Sequence, residues 1–366
     1  MRVIACRTPY GKGGLGQHFA QLVEESREKG ELAGYFANSL KPGDEDIARL
    51  TPPIRLRRTK RFTPLRYSPG WVAWLGEYLF DTRIAKMLDF EAEAFMGFVG
   101  KSLHTFRKAR SLGYKRLELI AANSHVRNVQ RMHAIAAKDF GHKDTWLNDA
   151  LANKTIKEYE QADFVYTHSE YTRQSLIDGG VDEAKLVRSF LTVHPRFQPP
   201  VSRPDDGVFR VVYTGRIDAT KGIPLLIEAF NRLPSKNVEL TLVGGCSHKT
   251  MKRWLTKHMS KNSNIKLAPG DPLKPLQMAD VYVHPTYEDG FAYAPMEALA
   301  CGAPVIVTED TGMKEHVEEG VNGYVVPTGN WEVLLERMEH LMSHPLTRLE
   351  SALLETTYPG KEPMVS

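Results

Sequence analysis

Short apolar runs alternate with longer amphipathic stretches along most of the chain. Residues 3–6, 163–167 and 279–284 have the length and composition of buried β-strands. Residues 17–29 and 331–343 instead repeat apolar positions at the helical spacing. Strands that alternate with helices favour parallel sheets covered by helices on both faces. The pattern therefore predicts an α/β protein.

A proline-rich stretch interrupts this alternation near residue 200. Four prolines fall within ten residues, at Pro195, Pro199, Pro200 and Pro204. Neither a helix nor a central strand continues through such a stretch. We therefore predict two domains, residues 1–200 and 201–366, each long enough to bury its own core.

The composition excludes disordered and fibrous proteins. Hydrophobic residues make up 42% of the 366 residues and charged residues 25%, which is ordinary for globular domains. The net charge of +4 is too small to argue for a nucleic-acid partner, and we expect none. No apolar run approaches the roughly 18 residues that span a bilayer.

The three cysteines lack metal-ligand spacing, which favours reduced thiols and a cytoplasmic location.

The most informative stretch is residues 285–304. A predicted strand leads into a glycine-containing loop, a short helix with Pro295 in its first turn, and a further strand at 305–308. Free amides of residues 291–294 and the helix dipole favour a phosphate here. Asp289 and Glu297 flank these amides at roughly 12 Å from each other, which is too far for the carboxylate pair of a glycosidase. This spacing fits an elongated ligand with hydroxyls at its ends and phosphate between them.

A second strand-to-helix corner carries cations. Gly215 and Arg216 follow the predicted strand 209–213, and Lys221 precedes the next helix. The Arg fork and the Lys point charge can converge on one diphosphate. Gly244, at the end of strand 238–243, allows the backbone to approach the same ligand.

Other polar segments leave alternatives open. His125 follows the predicted strand 116–122 at the edge where ligands of parallel sheets bind, so we expect it to be more exposed than a core histidine. His133, on the following helical stretch, is expected to be satisfied or solvated. Asp44-Glu45-Asp46 resembles a metal-binding pattern, but its polar surroundings favour a solvated turn, and we predict no metal.

Residues 55–66 contain six basic residues and no acidic residue, and Trp71, Trp74 and Tyr78 follow at helical spacing. A solvated loop and a core stripe are the plain interpretations. The alternative is a surface in residues 55–80 that contacts an anionic acceptor or an acidic membrane.

Residues 285–304 resemble the signature of the family 4 retaining glycosyltransferases, commonly Glu-Gly-Phe-Gly, four residues, then Glu-Ala-Met-Ala-x-Gly-x-Pro-Val. The Gly-Arg-x-x-x-x-Lys-Gly corner matches the same family. Here Asp289 replaces the usual Glu and Ala292 replaces the second Gly. The resemblance implies the GT-B fold, in which two Rossmann-like domains face each other across a cleft.

The resemblance also implies roles for individual residues. Asp289 would hold the donor sugar, Glu297 the ribose, and His125 would lie near the donor sugar and the acceptor hydroxyl. The remaining positions would bind the donor nucleotide sugar or neutralise its phosphates: Gly13, Gly14, Gly16, Gly215, Arg216, Lys221, Gly244, Gly290, Phe291 and Ala292. Gly11 to Gly16 also spell Gly-x-Gly-x-x-Gly, so an NAD site and a plain structural turn are alternatives. Asn38, where an NAD site requires Asp or Glu, argues against NAD.

The expected function is a metal-independent, retaining transfer of a hexose-type sugar from a nucleotide diphosphate sugar to the hydroxyl of a glycan, a lipid-linked acceptor or a small molecule. The nucleotide sugar is a co-substrate, and no separate cofactor is expected. Three alternatives stay open: an NAD-dependent oxidoreductase, another GT-B nucleotide-sugar enzyme such as an epimerase or phosphorylase, and a binding-only relative.

Overall fold

The computed structural model describes residues 1–52, 68–141 and 146–346. The chain forms two compact units. The first unit comprises Met1–Arg131 and Asp144–Leu191, and the second Met132–Lys143 and Thr192–Ser366. The boundary at Leu191 lies earlier than the proline-rich stretch from which the sequence placed it, and one short internal segment belongs with the second unit.

The first unit is built on a seven-stranded parallel sheet in the order β3-β2-β1-β4-β5-β6-β7. Its strands are β1 (Arg2–Ala5), β2 (Leu32–Ala37), β3 (Ala48–Leu50), β4 (Ala94–Phe98), β5 (Arg116–Ile120), β6 (Phe164–Thr167) and β7 (Leu186–Arg188). Its helices are α1 (Gly13–Glu28), α2 (Pro69–Met87), α3 (Leu103–Ser111), α4 (Val126–Phe140), α5 (Asp149–Gln161) and α6 (Glu170–Asp178). Helix α4 begins in the first unit, and its residues from Met132 onward belong to the second.

The second unit contains a six-stranded parallel sheet in the order β10-β9-β8-β11-β12-β13. Its strands are β8 (Phe209–Thr214), β9 (Val238–Val243), β10 (Ile265–Ala268), β11 (Val281–His284), β12 (Val305–Thr308) and β13 (Gly323–Val326). Its further helices are α7 (Ile223–Phe230), α8 (Lys249–Met259), α9 (Leu273–Met278), α10 (Tyr293–Ala300) and α11 (Trp331–Ser343).

Apolar side chains on both faces of the central strands explain why these sheets are buried. Every residue of β1, β4, β11 and β12 is buried, as expected for strands covered by helices on both sides. Helix starts use short polar caps: the side chains of Asn148, Ser169 and Asn330 accept hydrogen bonds from the first turns of α5, α6 and α11. The predicted α/β class is therefore confirmed.

Some predicted bounds differ from the structure, since β1 comprises Arg2–Ala5 and not residues 3–6. After β12, Gly312–His316 form a short 3₁₀ helix. The amide of Gly312 donates to the carbonyl of Asp289 at 3.1 Å, which ties this segment to the loop after β11. Within the described ranges, no helix is long and apolar enough to cross a membrane.

Candidate functional site

The two strand-to-helix corners predicted from the sequence are adjacent in the second unit. Gly222, the residue before α7, has a φ of +67°. A Cβ atom at this position would lie 1.7 Å from the carbonyl oxygen of Pro285, which follows β11. Both the backbone conformation and this close approach require glycine. Gly222 therefore allows the β8-α7 corner to pack against the start of the 285–304 stretch.

Lys221 links these corners directly. Its Nζ donates to Oδ2 of Asp289 at 2.6 Å and to the carbonyl of Glu288 at 3.2 Å. The side chains of Lys221 and Asp289 are 17% and 18% exposed, so the pair is largely removed from solvent. Burial alone would raise the pKa of Asp289, but Lys221 and His284 outweigh it and hold the pKa below its ordinary value. Asp289 is therefore a carboxylate that positions the Lys221 ammonium.

His284 extends this cluster, although the sequence analysis did not single it out. It is the last residue of β11 and is 3% exposed. Its Nε2 lies 3.4 Å from Oδ2 of Asp289, and its Nδ1 lies 3.3 Å from the Tyr282 hydroxyl. Burial lowers the pKa of His284, which favours the neutral ring. The only sequence signal for it was its place at the end of a buried strand that leads into the candidate loop.

Arg216 differs from Lys221 in exposure and in its partner. Its side chain is 46% exposed, and its Nε forms an ion pair with Asp218 on the same corner. The Tyr213 hydroxyl donates to the Arg216 carbonyl at 2.8 Å, which fixes the backbone from which the guanidinium extends. The structure therefore leaves much of the guanidinium accessible to an anion.

Gly215 and Gly244 hold the ends of β8 and β9 together. Their φ angles are 137° and 142°. A Cβ on Gly244 would lie 2.0 Å from the Gly215 carbonyl oxygen, so a larger residue would push the two strand ends apart. This packing explains the two glycines, and their contact with a ligand stays a prediction.

The loop before α10 carries an unusual backbone conformation. Among the described residues, Ala292 is the non-glycine residue with positive φ, at 82°. Phe291 is buried beside the ring of His316, with ring centroids 5.2 Å apart. Glu297, on α10, is 5% exposed. The structure therefore orders the loop between Asp289 and the eight-residue helix α10, as an anion site at a helix N-terminus requires.

His133 also approaches this cluster. It lies on the part of α4 that belongs to the second unit and is 5% exposed. Burial, followed by the positive charges of Lys221 and Arg216, lowers the pKa of His133 to about 4, whereas Asp218 acts in the opposite direction. Nearby, the Tyr287 hydroxyl donates to Asp139 Oδ2 at 2.7 Å and so ties α4 to the candidate loop. Sequence reasoning assigned His133 no functional role, because its helix is distant in the chain from these cations.

The first-unit candidates have different surroundings. His125 is 5% exposed, and its ring lies against Tyr159 with centroids 5.3 Å apart. A Cβ on Gly179 would lie 2.4 Å from the His125 ring, so α6 also packs closely against it. The expectation that His125 is more exposed than a core histidine is therefore wrong, because two helices cover its ring. Its role near a sugar stays a prediction.

The glycine-rich loop folds back on itself. The Gly11 amide donates to the Gly16 carbonyl at 3.0 Å, and a Cβ on Gly16 would lie 2.5 Å from the Pro9 carbonyl oxygen. Gly13 begins α1 with a φ of +68°, and Gly14 follows it. These contacts account for glycine at several positions without a ligand, and phosphate contact stays a prediction.

A cavity of about 90 Å³ lies beyond the carboxyl ends of β4 and β5 in the first unit. Its lining combines apolar and aromatic side chains with Glu77, Lys101, Asn123 and Thr155. Glu77 also forms an ion pair with Arg7 at 2.9 Å. The cavity therefore places hydrogen-bond donors and acceptors beside an aromatic surface at the carboxyl ends of the strands.

Two further sequence interpretations can be compared with the structure. Asp44 lies in a turn, as expected, but it is 4% exposed and accepts hydrogen bonds from Arg27 and the Tyr35 hydroxyl, both at 2.7 Å. The expectation of a solvated turn is therefore wrong for this carboxylate. Of the segment 55–80, residues 55–67 lie outside the described residues. Trp71 on α2 is 48% exposed, whereas Trp74 packs partly into the core.

The match to a known protein family lies within the second unit. Residues 196–354 match the family model described as glycosyl transferases group 1. The capsular polysaccharide biosynthesis glycosyltransferase CapM of Staphylococcus aureus is 32% identical over 140 residues, which cover 37% of this chain and 37% of CapM. D-inositol 3-phosphate glycosyltransferase of Pseudarthrobacter chlorophenolicus is 28% identical over 192 residues, 50% of this chain and 45% of that protein. The matches thus span less than half of the length of these relatives.

Solved structures show the same fold over nearly the whole chain. Sucrose-phosphate synthase from Thermosynechococcus elongatus aligns with a TM-score of 0.71 and 19% identity, covering 94% of this chain and 90% of its own. HepE of Anabaena, solved in complex with UDP and glucose, aligns with a TM-score of 0.68 and 14% identity over 98% of this chain and 94% of its own. The predicted GT-B fold and the resemblance to glycosyltransferases are therefore confirmed.

Proposed function

Because residues 196–354 match the glycosyl transferases group 1 model, we propose that this protein transfers a sugar from a nucleotide diphosphate sugar to an acceptor hydroxyl. The observation that carries the proposal is the junction of two corners in the second unit. Lys221 contacts Asp289 at 2.6 Å, and Gly222 brings the cationic corner against Pro285. A diphosphate bound at this junction would meet cations on one side and helix N-terminal amides on the other.

Arg216, Lys221 and the amides of Phe291 and Ala292 would stabilise the negative charge that grows on the departing diphosphate. Preorganised charges of this kind act most strongly where water is excluded, and Lys221 is largely buried. These groups supply the charge compensation that a metal ion gives in other transferases. The proposed reaction is therefore metal-independent.

Asp289 would serve both Lys221 and the donor sugar. Its Oδ2 is within hydrogen-bonding distance of Lys221, and its second oxygen would accept a bond from a sugar hydroxyl. Glu297, one helical segment further along the chain, would accept bonds from the ribose hydroxyls. The two carboxylates would thus orient opposite ends of the donor around its phosphates.

The proposed stereochemistry is retention, as in the family that the signature resembles. The bond between the anomeric carbon and the diphosphate oxygen breaks, and the acceptor oxygen bonds to the same face of that carbon. The acceptor proton passes to the departing phosphate oxygen. This route requires no covalent nucleophile, in keeping with a motif in which Asp289 is already committed to Lys221.

The first unit would supply the acceptor site. Its cavity at the ends of β4 and β5 combines Glu77, Lys101 and Asn123, which can exchange hydrogen bonds with acceptor hydroxyls. His125 would contribute there only through a ring that α5 and α6 already cover. A cytoplasmic location is also proposed, since Cys6, Cys246 and Cys301 are all free thiols.

A thermal-shift panel of UDP-, GDP- and ADP-sugars, with NADH as a comparator, tests this proposal. A ligand at about 100 times its dissociation constant stabilises the folded state by roughly 2.7 kcal/mol, which raises Tm by several degrees. We expect a nucleotide sugar to raise Tm and NADH to leave it unchanged. Mass spectrometry of acceptor mixtures incubated with the best donor then detects the added sugar. A shift with NADH alone would instead favour the oxidoreductase alternative.

A further inference from the structure

Helix α8 presents a row of positive charges. Between Glu239 and Asp271 the sequence contains six Lys and Arg residues and no Asp or Glu. Five of these cations lie on α8 or directly after it. We call them the basic stripe: Lys249, Lys252, Arg253, Lys257 and Lys261.

Helical spacing places the basic stripe on one face. Positions 249, 252, 253 and 257 follow the i, i+3, i+4, i+8 pattern, and all five side chains are exposed. The opposite face is used for folding, since Met251 and Leu255 are buried in the core of the second unit. At about 1.5 Å per residue, the stripe runs for roughly 18 Å.

Folding of α8 does not explain this charge pattern. Within the described part of the chain, no salt bridge compensates any of the five cations. By contrast Lys266, on the neighbouring strand β10, pairs with Glu239 at 2.5 Å. Like charges three and four residues apart on a helix repel each other and destabilise it. A ligand that carries several negative charges would remove this repulsion.

We propose that the basic stripe binds the surface of an acidic lipid bilayer. Four of its five members are lysines, whose point charges suit a diffuse anionic surface rather than the bidentate recognition of one phosphate. The five residues of the basic stripe include no aromatic residue, and the neighbouring Trp254 is partly buried against the core of the second unit and against His258, with ring centroids 3.9 Å apart. Single-stranded nucleic acid therefore lacks the stacking surface that it usually requires.

The basic stripe shares no residue with the segment 55–80 or with the proposed donor site. Its removal should therefore change membrane binding without changing how the second unit binds a nucleotide. This independence allows failure of the inference to be distinguished from failure of the proposed reaction.

The test is co-sedimentation of the full-length protein with vesicles. One set contains phosphatidylcholine alone, and in the other phosphatidylglycerol replaces about a third of it. The test variant combines Lys252→Glu, Arg253→Glu and Lys257→Glu. The matched control combines Lys29→Glu, Lys86→Glu and Lys157→Glu, exposed positions in the first unit that give the same change in net charge. Thermal melting verifies that each variant is folded.

We expect the wild type and the control to bind acidic vesicles at least tenfold more tightly than neutral ones, and the test variant to lose at least tenfold of this affinity. Raised salt should weaken wild-type binding. Equal binding of wild type to both vesicle sets would overturn the inference, as would equal losses in test and control variants. A short single-stranded RNA that binds through the stripe more tightly than acidic vesicles do would also overturn it, in favour of a nucleic-acid surface. A test variant that fails to fold is replaced by Lys252→Gln with Lys257→Gln, for which at least a threefold loss is expected.

Discussion

The candidate residues of the second unit contact one another, whereas those of the first unit mainly contact their own scaffold. In the second unit Lys221, Asp289 and His284 form a connected cluster across two corners. In the first unit the His125 ring is enclosed by Tyr159 and Gly179, and Gly16 packs against its own loop. Residues with the same expected role thus occupy very different environments.

This difference explains where the sequence resembles known enzymes. Neutralising a diphosphate requires cations and amides at defined positions, so a functional corner restricts both residue type and backbone. The family match covers residues 196–354, which contain all of these corners. The solved structures, at 19% and 14% identity, show that the fold is shared over nearly the whole chain.

The largest expected effect comes from Lys221→Met. The substitution removes a cation from the proposed diphosphate site and leaves Asp289 without its closest partner. We expect turnover to fall by about 10³-fold and the free energy of unfolding by about 2 kcal/mol. Steady-state kinetics and chemical denaturation measure the two effects. Lys236→Met, at an exposed position of the same unit, serves as control and should change neither.

Arg216→Ala should separate activity from stability. The side chain is 46% exposed, so its loss should leave Tm nearly unchanged. If the guanidinium acts on the departing diphosphate, kcat should fall by about 10² to 10³-fold. Turnover within twofold of the wild type would remove Arg216 from the proposed site.

His125→Ala should give the opposite signature. Its ring fills space between α5 and α6, so we expect the free energy of unfolding to fall by about 2 to 3 kcal/mol. Turnover per folded molecule should fall much less than in Lys221→Met. His344→Ala, at an exposed position, controls for loss of an imidazole. A hundredfold loss of turnover at unchanged stability would group His125 with Lys221 and erase the contrast between the units.

The pH dependence of stability should depend on His133. Its pKa is about 4 in the folded protein against an ordinary value of 6.5, because of burial and the charges of Lys221 and Arg216. As pH falls through this window, the unfolded chain takes up a proton that the folded protein does not, so stability decreases. We expect wild type to lose about 2 kcal/mol from this residue between pH 7 and pH 4.

Denaturation at both pH values should show a smaller loss for His133→Gln than for wild type. His168→Gln is the matched variant in the first unit, since burial also lowers the pKa of His168 to about 4. An unchanged pH dependence in His133→Gln would show that burial and the charges of Lys221 and Arg216 do not lower the pKa of His133.

The smallest effect is expected at Ala292. Its φ of 82° is a conformation that glycine adopts more readily, so Ala292→Gly should raise the free energy of unfolding by about 1 kcal/mol. Ala298→Gly, within α10, should instead lower it by about 1 kcal/mol or more. Destabilisation by both substitutions would mean that the loop before α10 is not strained.

The sequence by itself determined the α/β class, the elements around the two strand-to-helix corners and the exact bounds of β9 and α11. These features follow from local causes: the spacing of apolar residues, polar helix caps and glycine after helices. The Gly-Arg-x-x-x-x-Lys-Gly corner and the 285–304 stretch also carry their chemistry within short segments, so the donor-site residues could be proposed without a structure.

Only the tertiary structure decided which of these residues meet. Lys221 and Asp289 are 68 positions apart in sequence, and their pairing depends on how β8 and β11 lie side by side in the sheet. The burial of His125, Asp44 and His133 likewise depends on helices and strands that are distant in the chain. Sequence periodicity reports which face of an element is buried, but not which distant side chain will lie against it, because that is set by the packing of the completed sheet and its helices.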